Sequence, residues 1–350
     1  MNSIATNHAR IKISYRRCVQ SVIAILVLLS TAYGLLELTD ADPLTVLPSM
    51  LKGAFGSESD FGETTLRFVP IAVIAIGLIP SMRIGVFNIG IPGQMGTGAL
   101  FATCVSLAWP NLPSAIALPL ACFAGMLGGA LCALIPAWLR MRLNVKEILT
   151  TLVLNFLVVL ALEYLLTGPL KGFRVNLPQS DPLPQAACLP LFGDGSRANW
   201  GVIAVAAVFV AAWILDRGPI GYKLRLLGAA PKLARQAGLD VQRSIFITLC
   251  VGGALAGMGG WLQVAGVDHR LYSTVAAPVA FTPLFAVLMG GLKPCWVLFS
   301  SFIFASVLRG GGSLQVSVGI SPEIISVLVG LLLLLVSARK ARWGLNDGGR

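Results

Sequence analysis

The segment Ser114-Ala-Ile-Ala-Leu-Pro-Leu-Ala-Cys-Phe-Ala-Gly-Met-Leu-Gly-Gly-Ala-Leu-Cys-Ala-Leu-Ile-Pro-Ala-Trp138 carries no charged side chain over 25 residues. A helix needs about 20 mostly apolar residues to cross the hydrocarbon core of a bilayer, so the segment predicts a transmembrane helix. The whole chain has the same character, because 56% of its 350 residues are hydrophobic and 12% are charged, whereas soluble globular proteins carry about 25% charged residues. This composition excludes a water-soluble enzyme, and it excludes a disordered or collagen-like chain despite 38 Gly and 20 Pro.

Apolar stretches of this kind recur along the chain, about ten in all. We place the spans at 19–36, 66–81, 86–109, 114–138, 147–167, 199–215, 244–266, 276–292, 295–309 and 320–337. The sequence therefore predicts an all-α polytopic membrane protein. An even number of spans puts both termini on the same side of the membrane. Gly and Pro interrupt the second, third and eighth of these spans.

The positive charges predict the orientation of the chain. With both termini in the cytoplasm, 19 of the 26 Lys and Arg residues lie inside and 7 lie outside. Because basic residues concentrate on the cytoplasmic side of membrane proteins, this N-in, C-in arrangement is favoured. The chain then divides into a basic cytoplasmic segment (1–18), a transmembrane domain (19–337) and a cytoplasmic tail (338–350). The net charge of +11 thus indicates orientation and not nucleic-acid binding.

The sequence contains no signature of catalysis or metal binding. It has no GxxxxGK phosphate loop, no HExxH and no GxSxG motif, and its seven cysteines form no CxxC pair, so no enzyme activity, metal or cofactor is expected. Glu163 and Glu323 lie at span ends, whereas ion-coupled carriers place ionisable groups at mid-membrane depth. If this protein moves a solute uphill, the energy comes either from an ion gradient or from a partner that hydrolyses ATP, and ion coupling has little support.

The stretch Gly85-Val-Phe-Asn-Ile-Gly-Ile-Pro-Gly-Gln-Met-Gly-Thr-Gly98 is unusual for a segment at membrane depth, because it combines glycines and a proline with the polar Asn88 and Gln94. Irregular backbone is tolerated there only when it is buried in protein or lines a cavity. We favour a transport pathway or a core hinge, with close helix packing as the alternative. The segment 252–260, rich in Gly and without polar side chains, predicts packing alone.

Two further amides, Asn155 and Gln263, lie inside apolar runs. Such residues most often form a hydrogen bond with a neighbouring helix, at roughly 1 kcal/mol. The alternative is a hydrogen bond to a polar, uncharged solute.

The loop 216–244 is the longest predicted cytoplasmic connection, and Pro231–Gly238 within it predicts a short helix that begins at proline and ends at glycine. It carries Lys232 and Arg235 among small apolar residues. Two interpretations are equally compatible with this composition. The helix either inserts into a groove of a soluble partner or rests on anionic lipid headgroups.

Several segments, in order, resemble one family. These are Gly85-Val-Phe-Asn-Ile-Gly-Ile-Pro-Gly-Gln-Met95, Val145-Lys-Glu-Ile-Leu-Thr-Thr-Leu-Val-Leu-Asn155, the loop Gly228–Val241, the run Gly253-Ala-Leu-Ala-Gly257 and Ala280-Phe-Thr-Pro-Leu-Phe-Ala-Val-Leu-Met-Gly290. Together they are similar to the permease subunits of ABC importers in the ribose and branched-chain amino acid group, in its nucleoside or simple-sugar branch. The resemblance covers about residues 65–337.

This resemblance implies a type II, vitamin-importer-like permease fold in the cell (inner) membrane. It implies partner ABC ATPases, an extracytoplasmic solute-binding lipoprotein and a second permease chain, expected to be paralogous. It implies ATPase-coupling roles for Gly228, Pro231, Lys232, Ala234, Arg235, Ala237 and Gly238. A substrate pathway is expected along Asn88, Gln94, Asn155, Gln263, Phe281 and Thr282. The alternatives are a branched-chain amino acid permease, or an autonomous secondary carrier or channel.

The chain departs from the family pattern at a few positions that bear on specificity and on the choice of ATPase. Pro92 replaces a usual Glu and Lys146 a usual Asn. In the coupling loop, Ala230 replaces Asn and Leu233 replaces Ala. Ala280 and Pro283 stand where the family has glycines around Phe281-Thr282.

Overall fold

The structure, a computed structural model, describes residues 43–173, 177–193, 195–277, 279, 281–317 and 330. The predicted spans 19–36 and 320–337 (apart from residue 330), the segment 1–18 and the tail 338–350 lie outside these residues. The chain forms two compact units, and the boundary between them falls within the last described helix. One unit is Ser57–Ser306; the other comprises Met1–Gly56 and Val307–Arg350.

Helices make up most of the described chain. They are α1 (Pro43–Phe55), α2 (Glu58–Arg83), α3 (Ile91–Ala108), α4 (Ser114–Leu143), α5 (Glu147–Thr167), α6 (Gly201–Arg217), α7 (Pro219–Ala229), α8 (Pro231–Gln236), α9 (Val241–Gln263), α10 (Thr282–Met289) and α11 (Pro294–Ser317). A π-helical turn, Val264–Asp268, continues α9, and a 3-10 turn covers Gln185–Ala187. The short strands β1 (Leu191–Gly193) and β2 (Ser196–Asn199) pair antiparallel, and β2 packs against α2.

Among the described residues, five helices are long and apolar enough to cross a membrane. They are Glu58–Arg83, Ser114–Leu143, Glu147–Thr167, Val241–Asp268 and Pro294–Leu314. The pair α6 and α7, bent by 69°, is a candidate for a sixth, broken span. The prediction of a helical, multi-span membrane protein is confirmed. The count of ten spans and the N-in, C-in topology stay predictions.

Two predicted spans differ from the structure. The span 276–292 is not one continuous helix, because among its described residues only those of α10, eight in number, are helical. Pro283 lies in its first turn, and Gly291 and Leu292 adopt positive φ after it. The span 86–109 begins later than predicted, at Ile91, because the Asn88 side chain accepts a hydrogen bond from the Gly90 N–H and holds a turn. The other described spans agree with their helices to within a few residues, except that α2 and α11 extend further.

The core of unit 57–306 forms around α9, which packs against α2, α3 and α4. Glycines allow the backbones to meet. A Cβ atom at Gly257 of α9 would lie 2.8 Å from the Gly129 nitrogen of α4 and closer still to the Gly125 carbonyl oxygen. Gly98 of α3 faces the Gly257 backbone just as closely. The packing role predicted for segment 252–260 is therefore confirmed.

The helix α2 runs through this core and contains two internal prolines, Pro70 and Pro80. The residues between them, 71–79, are all buried. Each proline removes one backbone N–H from the helical hydrogen-bond ladder. In α2 these interruptions lie near both ends of the buried stretch.

Candidate functional site

Asn88 and Gln94 lie in the turn before α3 and in its first turn, and both side chains are fully buried. The Asn88 Nδ2 donates to Gln94 Oε1 at 2.8 Å, and the Gln94 Nε2 donates to Asn88 Oδ1 at 3.1 Å. This reciprocal pair satisfies the buried amides inside the protein, as burial of polar groups requires. In this conformation the pair holds the interrupted segment.

Asn155 of α5 supports the same segment from a neighbouring helix. Its Oδ1 accepts from the Gly93 N–H at 2.9 Å, and its Nδ2 donates to the Ile89 carbonyl at 3.0 Å. Gly93 is in the first turn of α3, where backbone N–H groups have no partner within the helix. The helix-to-helix hydrogen bond that we favoured for Asn155 is therefore confirmed, and a role in solute passage stays a prediction.

Gln263, the last residue of α9, faces a different place. It lines a cavity of about 150 Å³ near the beginning of α2, together with the charged side chains of Glu63, Arg67 and Asp268. Its Nε2 donates to Asp268 Oδ2 at 3.2 Å. Asn88, Gln94 and Asn155 neither line this cavity nor share a hydrogen bond with Gln263, although the sequence assigned all four to one pathway.

Phe281 and Thr282 do not line this cavity, but Thr282 is hydrogen-bonded to a residue that does. Phe281 is partly exposed and Thr282 begins α10. The Thr282 N–H donates to the Val279 carbonyl at 3.0 Å, and the Val279 side chain lines the cavity. Of the predicted pathway residues, Thr282 is therefore linked to the cavity that Gln263 lines, through Val279.

An arginine of the hairpin braces the cavity. Arg197 of β2 donates to Glu63 Oε1 at 2.8 Å and to the Val267 carbonyl at 3.2 Å. The neighbouring His269 adopts a positive φ of 53°. Burial, and then the positive charge of Arg197, lower the pKa of His269 below its usual 6.5. The imidazole is accordingly held neutral at pH 7.

The opposite end of α2 carries an ion-pair cluster that sequence reasoning missed. The Arg83 guanidinium pairs with Asp216 at the end of α6 and donates to the Leu292 carbonyl at 2.6 Å. Arg225 of α7 donates to the same Asp216 Oδ1 at 2.9 Å. One signal was available, because Asp216 is the single acidic residue between positions 201 and 239. The cluster joins α2, α6, α7 and the turn before α11.

The predicted short helix in the loop 216–244 is present as α8. Gly238 adopts a φ of +79° just beyond it, and the Leu239 N–H donates to the Ala234 carbonyl at 2.9 Å, which closes its end. The sequence missed the preceding α7, whose Gly228 lies so close to the Arg83 carbonyl that a Cβ atom would overlap it. The loop is thereby packed onto the end of α2.

The surface of α8 is open. Ala234 is fully buried, whereas the other predicted coupling residues of this helix and its end are exposed, namely Pro231, Lys232, Arg235, Ala237 and Gly238. Leu233 is also 58% exposed. A short basic helix with one buried anchor and an exposed apolar side chain presents a surface on which a partner protein can dock.

In the described part of the chain, no three His, Cys, Asp or Glu side chains lie together as a metal site requires. What the structure does bring together is a set of membrane-spanning helices, a buried non-helical segment before α3, a polar cavity at one end of α2 and an exposed basic helix near the other. These features define a polytopic membrane transport protein.

The chain belongs to the family described as the permease component of the branched-chain amino acid transport system, whose model matches residues 61–337. It is the permease subunit of an ABC importer and a multi-pass protein of the cell membrane, as the sequence resemblance predicted. Permeases of this family work, in general, with ATPase subunits and a solute-binding protein.

Three relatives illustrate the match. A glucose ABC transporter permease protein of Haloferax volcanii is 30% identical over 90% of this chain and 86% of its own length. A nucleoside ABC transporter permease protein of Lactococcus lactis is 27% identical over 85% of this chain and 84% of its own. A guanosine ABC transporter permease protein of Bacillus subtilis is 25% identical over 84% and 85%, respectively.

Proposed function

We propose that this permease translocates a neutral, polyhydroxylated solute, a nucleoside or a simple sugar, while separate subunits hydrolyse the ATP. The observation that carries the proposal is the likeness, over most of both chains, to permeases named for glucose, nucleosides and guanosine. Glucose and guanosine share a sugar ring with neighbouring hydroxyl groups. The permease itself then needs no catalytic residues.

We propose that α8 is the helix that docks on the ATPase. Its residues would act in three ways: Lys232 and Arg235 would meet an acidic surface, Ala234 would anchor the helix to the permease, and Gly238 would end it. Gly228 and Pro231 fix the approach of the loop to α2 and the start of the helix. Support comes from the exposure of the basic side chains and from the packing of α7 against α2.

The ion-pair cluster around Asp216 would transmit movement of the docked helix α8 to the membrane-spanning helix α2. A displacement of α7 and α8 pulls on Asp216 and Arg225, and through Asp216 on Arg83 of α2. The permease would use the type II fold, with about ten spans and both termini in the cytoplasm, and it would pair with a second, paralogous permease chain. The asymmetry of its basic residues supports this orientation.

The predicted pathway residues take two roles in this proposal. Gln263, Phe281 and Thr282 stand at the extracytoplasmic end, where the solute-binding lipoprotein delivers its cargo. Asn88, Gln94 and Asn155 hold the interrupted helix in the described conformation. They reach the solute only when the amide pair opens during the transport cycle.

A charge reversal on α8 tests the coupling role. The permease is co-purified with its ATPase, its partner permease and its binding protein, and ATP-driven uptake is measured in proteoliposomes. We expect Arg235→Glu combined with Gly238→Ala to lose both the ATPase from the complex and the uptake. Arg142→Glu, a matched reversal at an exposed site at the end of α4, retains both.

Intact assembly and uptake in the Arg235→Glu, Gly238→Ala variant would refute the docking assignment. Gradient-driven uptake by the purified permease alone, without any ATPase, would instead favour an autonomous carrier or channel.

A further inference from the structure

We infer that the cavity at the beginning of α2 is a binding subsite for the vicinal diol of a sugar ring. The inference rests on the proposed function and names the part of the solute that this region of the permease recognises. It begins from the chemistry of the cavity wall. Glu63 and Arg67 stand one helical turn apart on α2, and Gln263 and Asp268 face them from the end of α9 and its π-helical turn.

The hydrogen-bonding groups of this wall are unbalanced. Arg197 donates a hydrogen bond to Glu63 Oε1, and Gln263 donates one to Asp268 Oδ2. Among the described residues, no donor reaches the second carboxylate oxygen of either residue, or the amide oxygen of Gln263, whose side chain is nonetheless 4% exposed. An ionised carboxylate accepts hydrogen bonds through both oxygens. Three acceptors in the cavity therefore have no described donor, namely one oxygen each of Glu63 and Asp268 and the amide oxygen of Gln263.

The charges exclude two kinds of ligand. A Ca²⁺ or Mg²⁺ ion seeks an all-oxygen shell, and the guanidinium of Arg67 in the wall opposes a cation. An anion is opposed by the carboxylates of Glu63 and Asp268. The ligand that fits is neutral and rich in hydroxyl groups, because each hydroxyl donates a hydrogen bond to a carboxylate or amide oxygen and carries no charge.

The size and the apolar part of the wall indicate a ring. The volume is about 150 Å³, and protein cavities of about this size accommodate a six-membered ring such as benzene. Leu66, Ile71 and Val279 complete the lining. Their methyl groups suit the C–H face of a sugar, while its hydroxyl edge meets the carboxylates. Two neighbouring hydroxyls match the two carboxylates of this lining, one from Glu63 of α2 and one from Asp268 of the π-helical turn.

The test measures equilibrium binding to the purified permease and ATPase complex in nanodiscs, without the solute-binding protein, so that the selectivity of that protein does not contribute. The probes are uridine and D-glucose, each paired with its 2-deoxy analogue, which lacks one hydroxyl of the diol. For at least one pair, we expect the deoxy analogue to bind about tenfold more weakly, because one hydrogen bond to a charged acceptor is lost. Which pair responds distinguishes a nucleoside from a hexose.

Two variants and a matched control connect this preference with the cavity. Gln263→Leu and Glu63→Gln should reduce the preference for the diol to less than about threefold, equivalent to the loss of most of one hydrogen bond. Gln242→Leu makes the same change at the opposite end of α9, where no described residue forms a hydrogen bond with the amide oxygen of Gln242, and it should keep the preference. Size-exclusion profiles and melting temperatures of all variants establish that they are folded.

Equal binding of the solute and its deoxy analogue by the wild type, or an unchanged preference in both cavity variants, would overturn the subsite. Absence of binding of every probe would also overturn it. The parent proposal is tested separately by ATP-driven uptake. A complex that prefers the diol but transports nothing with ATP would leave the subsite standing and refute the importer role.

Discussion

Replacing Gly257 by alanine tests whether the close contact of α9 with α4 sets the stability of the membrane domain. An added Cβ atom would lie 2.8 Å from the Gly129 nitrogen and nearer still to the Gly125 carbonyl oxygen. Both neighbours are backbone atoms of α4, which no side-chain rotation can move. The helices must therefore separate, and the contact of Gly98 with the same position is strained as well.

The expected cost follows from two opposing contributions. Overpacking of a well-packed core costs about 1–3 kcal/mol, and the rigid backbone on both sides places Gly257→Ala at the upper end. Alanine recovers about 1 kcal/mol of helix propensity relative to glycine. The net loss is about 2 kcal/mol, which corresponds to a melting temperature lower by about 4–8 °C, on the scale of about 2–4 °C per kcal/mol for domains of 150–250 residues.

The assay is thermal unfolding in detergent, followed by tryptophan fluorescence, with Gly312→Ala as the matched control. Gly312 lies within α11, and a Cβ atom there would have no described neighbour within 4 Å. This control should keep or slightly raise the melting temperature, because only the propensity contribution remains. If Gly257→Ala is as stable as Gly312→Ala, backbone contact at Gly257 does not determine the stability, and the packing argument fails.

Two further predictions concern the charged residues at the two ends of α2. Asp216→Asn leaves the largely buried guanidinium of Arg83 without its counter-charge. We expect the free energy of unfolding to fall by about 2 kcal/mol, less than the 3–5 kcal/mol lost when a fully buried pair is broken. We also expect solute uptake to fall relative to ATP hydrolysis, and both effects are measured on the assembled complex. For His269, burial and the charge of Arg197 lower the pKa in the folded state below 6.5, so folding favours the neutral imidazole. The contribution of His269 to stability is therefore complete above pH 6.5 and declines as the pH falls below it. Asparagine tolerates the positive φ, so His269→Asn should weaken this decline in melting curves recorded between pH 7.5 and pH 5.

The controls for these two predictions follow from the same structure. Glu163→Gln makes the same acid-to-amide change as Asp216→Asn, but at an exposed position of α5, and should leave stability and coupling unchanged. Equal effects of the two variants would contradict the ion-pair argument. An acid decline of stability that persists in full in His269→Asn would assign it to other groups.

Local patterns in the sequence were sufficient for much of this architecture. The uncharged run 114–138 predicted the helix α4, and the glycine-rich segment 252–260 predicted tight packing, because hydrophobicity and side-chain size act over a few neighbouring residues. The helix α8 was also predictable, since Pro231 and Gly238 give unambiguous start and stop signals.

The remaining features depend on contacts between residues far apart in the chain. The residues near Arg83 do not indicate that its partner is Asp216, 133 positions away, and hydrophobic periodicity does not indicate it either. The pairing of Asn88 with Gln94 depends on a turn that a hydrophobicity pattern does not describe. The failure at 276–292 has the same origin, because turns at the sequence positions before Thr282 replace an apolar helix that composition alone favoured.

The two prolines of α2 have a mechanical meaning when they are considered together with the contacts at its ends. Pro70 lies just after the cavity residues Glu63 and Arg67, and Pro80 lies just before Arg83. All residues of the stretch between the prolines are buried, so sliding of this stretch would disturb close packing along its whole length. At each proline the helix lacks one backbone hydrogen bond, so bending of a terminal part of α2 about Pro70 or Pro80 costs less than displacing the buried stretch. Under the proposed function, solute binding at one end and the force from the docked ATPase at the other would each rotate one terminal part of α2, without displacing the whole helix.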